Sequence, residues 1–258
     1  MASPRRQTGR RFRSTLTLGL VLSSLVLPAS SQDVIPLTPG TYRLEMIMAS
    51  TTRVPFFGSS KSASKAISLV EIKRTGAALM QTHKACDFRV VEDSKFIKMI
   101  FPDKFVAALA THTYPVEVEQ DAEGWRYRAD LGVERIGYKA STVDPGLPAK
   151  IGDPTVYDWD GDGQPAATLK ISIPLLPDGE LYVVQRGHSI LNGRIVQPGK
   201  VEGSIETRLF EQRVLGARPG FLNRSPDVQP DAKESRFILT QIADGSSCET
   251  LRTAPAKP

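Results

Sequence analysis

At 258 residues and 40% hydrophobic composition, the chain is long enough to bury one sizeable core. Its formal net charge of +5 resides in the first thirteen residues, where Arg5, Arg6, Arg10, Arg11 and Arg13 stand without an acid; beyond them 28 basic residues face 28 acidic ones. That balance excludes the basic face on which nucleic-acid binding depends, and the diffuse set Lys61, Lys65, Lys73 and Lys84 reads as solvated surface.

In chain order, the basic leader is followed by a largely apolar stretch of twelve residues, Leu16 to Leu27, and by small residues at Ala29 and Ser31. This is the order of a secretory signal peptide, expected to span 1–31 with cleavage after Ser31. Twelve residues are too few to cross a bilayer core, which needs roughly 20. Phe12 after the second arginine pair spoils a twin-arginine match, and no cysteine ends the apolar run, so general secretion to a periplasmic or extracellular space is expected.

Residues 32–251 read as a single antiparallel β domain. In "YRLEMIM", Tyr42, Leu44, Met46 and Met48 share one face. "RVPFFGSS" then carries Phe56 and Phe57 in a loop expected over Pro55–Ala63. Adjacent residues cannot both point inward there, so the pair either belongs to a loop that plugs its own core or is a candidate contact for a ligand or partner. Less regular strands are expected at Ala66–Lys73, Ala78–Val91 and Lys95–Phe101, and "PDKFVAALA", Pro102–Ala110, is the one short helix. "YPVEVE" and "WRYRADL" alternate around "QDAEG", the pattern of a hairpin.

The stretch "VYDWDGDGQPAATLKISI" places Asp158, Asp160 and Asp162 at alternate positions, with Gly163 where a tight turn is needed. Oxygen-rich calcium loops need carboxylates spaced in this way, and Gln164 would add its backbone carbonyl. Ala166 and Leu169 fall where further ligands would stand, so a site would borrow a carboxylate, Asp153 being nearest, or be completed by water. A weak, structural calcium is expected; a bare Gly/Asp turn is the alternative.

After the loop, Leu169, Ile171 and Ile173 alternate with polar residues, "PDG" turns the chain, and "ELYVVQR", Val201–Leu209 and "RFILTQI" continue the strands. Loops are expected over Thr142–Thr155 and Gly216–Lys233, and a disordered tail over 252–258. The only two cysteines, Cys86 and Cys248, are expected to form a disulfide in an oxidising space; it would close a loop of roughly 160 residues and stabilise by at most about 5 kcal/mol.

Catalytic motifs are weak. "RGHSILNG" opens like a nucleophile elbow, but Leu191 stands where glycine is required and no helix pattern follows, so Ser189 reads as a loop serine. His83, His112 and His188 share no metal-binding spacing and read as structural. The resulting fold class is all-β: an antiparallel meander of about 9–10 strands closed as a barrel, lipocalin-like among the forms considered, or packed as a sandwich.

The D-x-D-G-D-G-x-P loop resembles the first half of EF-hand and dockerin-like calcium loops. With the β-rich segments and the late cysteine, the chain is similar to exported bacterial proteins that carry one such loop, a resemblance that supports compartment and class alone. The expected function is a non-enzymatic envelope protein that binds a small apolar ligand or an envelope partner, with structural calcium. A purely structural or assembly protein is the first alternative, and a hydrolase whose site assembles only in space is the second.

Overall fold

Alternating apolar residues produce unusually long strands. The computed structural model describes residues 36–54, 58–92, 97–139 and 146–253. β1 (Gly40–Val54), β2 (Gly58–Thr75) and β3 (Ala78–Glu92) form consecutive antiparallel pairs. β4 (Lys98–Ile100) and helix α1 (Asp103–Ala108) precede the hairpin of β5 (His112–Asp121) and β6 (Gly124–Ile136). β7 (Ala167–Ser172) leads to the 19-residue strands β8 (Gly179–Gln197) and β9 (Lys200–Arg218). A 3-10 turn (Gly220–Leu222), β10 (Asp227–Pro230), β11 (Arg236–Gln241) and helix α2 (Cys248–Thr253) complete the order.

The fold is therefore antiparallel β with short helices. The strands run β4-β7-β8-β6-β5-β3-β2-β1-β11-β9, β10 adds to β1, and a further β8–β9 pairing brings the path back on itself. The expected barrel does not form. Each strand of a barrel has two neighbours, whereas β8 pairs with β6, β7 and β9, and β1 pairs with β2, β10 and β11. Along β8, Gln185–Arg194 pair with β6 and Gly179–Val183 with β7, so the sheet branches there. Nor is the order a meander, since β11 lies between β1 and β9.

Other expectations also shift. Residues 58–63 belong to β2 rather than a loop, "RGHSILNG" lies within β8, and the expected loop 216–233 is interrupted by the end of β9 and by β10. Two α-helices are described rather than one, and the second includes Arg252 and Thr253 of the expected tail. The expected leader 1–31 and the pair Phe56–Phe57 lie outside the described residues. No helix among those described is long and apolar enough to cross a membrane.

At the end where the sheet returns on itself, Tyr42, Leu44, Val70, Tyr127, Leu191 and Phe237 pack into one core. Closure there needs two glycines. Gly193 and Gly203 pair across β8 and β9, and a Cβ on Gly203 would lie 2.1 Å from the Asn192 carbonyl and 2.7 Å from the Phe237 ring. A second core of Phe105, Leu169, Ile171, Leu181 and Val183 joins α1 to β7 and β8. On the outside, α2 covers Ile67 of β2 and is bonded to β3 through Cys86–Cys248, with the two Cα atoms 4.9 Å apart. Arg252 Nε also donates to the Cys86 carbonyl at 2.6 Å.

Candidate functional site

A cavity of about 780 Å³ borders both cores. Its cause is legible in β2, whose inward face runs Ser60, Ser62, Ser64, Ala66 and Ser68, all cavity-lining. Such short side chains cannot reach across a splayed sheet, so a space remains. Around it stand larger apolar groups, among them Met46, Met48, Phe101, Leu131, Ile171 and Phe221. The lining reaches the surface at the exposed Gly58, Ser59, Leu176 and Phe221.

One wall is polar. His83 on β3 pairs in register with His112 on β5, and the His83 and Tyr114 rings meet edge to face at 5.3 Å. Glu134 on β6 places Oε1 3.9 Å from His112 Nε2, a long ion-pair distance. All four line the cavity. Burial, with the nearby charge of His112, lowers the His83 pKa to about 4, so its imidazole is neutral at ordinary pH. Burial also raises the Glu134 pKa against the charge of His112, and burial with the Glu134 charge raises that of Tyr114. His83 Nε2 is buried without a hydrogen-bond partner. The result is a mostly apolar space with a polar patch in which the His83 imidazole is neutral at ordinary pH.

Glu134 reaches this wall through a bulge. Up to Leu131 the odd residues of β6 face inward: Tyr127 and Ala129 are buried and Leu131 lines the cavity. Asp130 Oδ1 then accepts from the Gly132 amide at 2.9 Å, Gly132 takes φ +66°, and the β6–β8 register shifts between Asp130 and Val133. Beyond it the even residues, Glu134 and Ile136, turn inward while Val133 is exposed. Strict alternation misses this glutamate; the Asp-x-Gly triplet is the signal that could have found it.

The third histidine lies elsewhere. His188 Nε2 and Asp130 Oδ1 are 2.6 Å apart. Its neighbour Ser189 lines the cavity. Consecutive strand residues point to opposite faces, so the two cannot form a nucleophile–base pair.

The aspartate loop is a separate feature. Asp158, Asp160 and Asp162 bring carboxylate oxygens within 4.8 Å of one another, a cluster that could coordinate a cation. Asp158 accepts from the amides of Asp162 (3.0 Å) and Gly163 (2.9 Å), and Asp162 from that of Gln164 (2.8 Å). These are the bonds of a self-contained turn, closed by the Ala166 amide to the Tyr157 carbonyl at 2.8 Å. Asp160 differs: it is buried, Oδ2 accepts from the Thr168 amide at 2.9 Å, and Oδ1 has no partner. Burial chiefly, then the charges of Asp162 and Asp158, raises its pKa against the Thr168 bond. The orphaned oxygen fits a cation. Asp153 does not join the cluster, being bonded to Thr155 through both the amide (2.9 Å) and the hydroxyl (2.6 Å).

Comparison of the chain with protein-family models, with curated proteins and with solved structures returns no match.

Proposed function

We propose that this is an exported, non-enzymatic envelope protein that holds a small, largely apolar ligand in the cavity between its two cores. The supporting observation is the space itself. About 780 Å³ lies within the roughly 300–1,000 Å³ typical of small-molecule sites, and a few convergent polar groups in an otherwise apolar lining are the usual pattern. His83, His112, Tyr114 and Glu134 form one polar patch of the wall, and Asp87, Gln185, Gln212 and Arg224 also line the space, which suits an amphiphile. A hydrolase has in its favour the His112–Glu134 pair, to which no hydroxyl is hydrogen-bonded among the described residues.

The aspartate loop is read as a weak structural calcium site, supported by the unpartnered Asp160 Oδ1 and by the crowding of three carboxylates. The ligand reading is tested by titrating the purified protein with a fluorescent long-chain fatty-acid analogue. Saturable binding at one equivalent is expected, weakened by Leu131→Trp, which adds bulk at the cavity wall. Absence of saturable binding, or a folded Leu131→Trp variant that binds normally, overturns it.

A further inference from the structure

We propose that Leu175, Leu176 and Phe221 form a lip that seats the mouth of the cavity on a lipid bilayer. The inference rests on the ligand reading above and adds the surface with which the ligand is exchanged.

Two loops converge at this end. The β7–β8 connection, "PLLPDG", and the 3-10 turn after β9 flank the register pair Glu180 and Arg218. They also touch: a Cβ on Gly179 would meet Leu222 Cδ1 at 2.2 Å. Leu176 and Phe221 both line the cavity, yet they are 42% and 57% exposed. Leu175 is fully exposed at 104% and does not line the cavity. Its φ of +70° lies in the left-handed region, where leucine is disfavoured, and the flanking Pro174 and Pro177 restrict the turn. A strained backbone that holds a large apolar side chain out in water has no packing rationale within the fold.

The size and charge of the patch select its partner. Three side chains, with exposed Ile100 nearby, fall far short of the roughly 20–30 residues a side of a stable protein interface. Apolar tips beside an apolar mouth match instead the boundary between headgroups and acyl chains. The exposed cations nearby, Lys98, Lys170, Arg218 and the cavity-lining Arg224, are only partly offset by Asp178 and Glu180, a small excess of two. Insertion of the apolar side chains, rather than attraction to anionic lipid, therefore carries the contact.

The experiment is co-flotation of the full mature chain with phosphatidylcholine vesicles, run beside the soluble-probe titration. The wild type is expected to float, with little change in 0.5 M salt. Leu175→Asp is expected to reduce flotation by about tenfold or more, as a carboxylate at an apolar contact should, while leaving probe binding unchanged. The lip is overturned if the wild type stays in solution, if Leu175→Asp floats equally, or if flotation requires anionic lipid and vanishes in salt. A dimer that Leu175→Asp dissociates would likewise overturn it, assigning the patch to a second copy of the chain. Flotation sensitive to Leu175 without probe binding would retain the lip and reject the ligand, so the two readings fail separately.

Discussion

Glu134 Oε1 lies 3.9 Å from His112 Nε2 in the wall of a mostly apolar cavity, with no closer ion pair to either group among the described residues. Burial raises the Glu134 pKa, so the folded state favours the protonated carboxyl. Folding stability associated with that proton is complete below the ordinary value of 4.5 and is lost as pH rises through the elevated folded value. Glu134→Gln should therefore be more stable than the wild type at neutral pH, with the gain vanishing toward pH 4.5. Urea denaturation at pH 7.5 and pH 4.5 measures this, and an equal difference at both would count against it.

His83 has the opposite sign. Its folded pKa is lowered to about 4 from 6.5, so its contribution is complete above 6.5 and is lost as pH falls toward 4. The shift corresponds to roughly 3 kcal/mol once both values have been passed. His83→Gln should flatten the stability profile between pH 6.5 and 4, whatever its offset at neutral pH. An unaltered slope in a urea series across that window would refute the assignment.

For the aspartate loop, an affinity near 0.1–1 mM means that 10 mM calcium should stabilise by about 1.4–2.7 kcal/mol, or roughly 3–10 °C in melting temperature for a domain of this size. Asp160→Asn should remove that response and, without calcium, melt no lower than the wild type, because it relieves the buried charge. Calorimetry with calcium and with chelator checks both; a calcium-insensitive wild type would leave the loop a plain turn.

Gly203→Ala should destabilise by about 3 kcal/mol or more, since its methyl meets a backbone carbonyl that cannot turn aside. Gly220→Ala, with nothing within 4 Å of the added carbon, is the matched control and should change stability little. Chemical denaturation of both variants tests whether the Gly193–Gly203 contact closes the sheet; similar midpoints would show that it does not.

The β class was legible because Tyr42 and Leu44, Tyr127 and Ala129, and Leu169 and Ile171 alternate cleanly and are buried. The connectivity was not, because alternation identifies a face without identifying a neighbour. Nothing in "RFILTQI" indicates that β11 inserts between β1 and β9. The cavity was hidden for a different reason. Ser60, Ser62 and Ser64 resemble loop residues by composition, yet as strand residues their small size is what leaves the space. His83 and His112 were visible as residues but not as neighbours, since the β3–β5 register that pairs them is a tertiary property. The carboxylate spacing of the aspartate loop was readable because it is local, whereas the burial of Asp160 depends on Thr168, eight residues away.

The Cys86–Cys248 bond spans 162 positions. A protease that cuts once within that interval, whether at the aspartate turn or at the exposed leucines, severs the backbone without releasing a fragment. The nicked product migrates as one species until thiols are added, so resistance to digestion in an oxidising compartment would not by itself show that the backbone is intact.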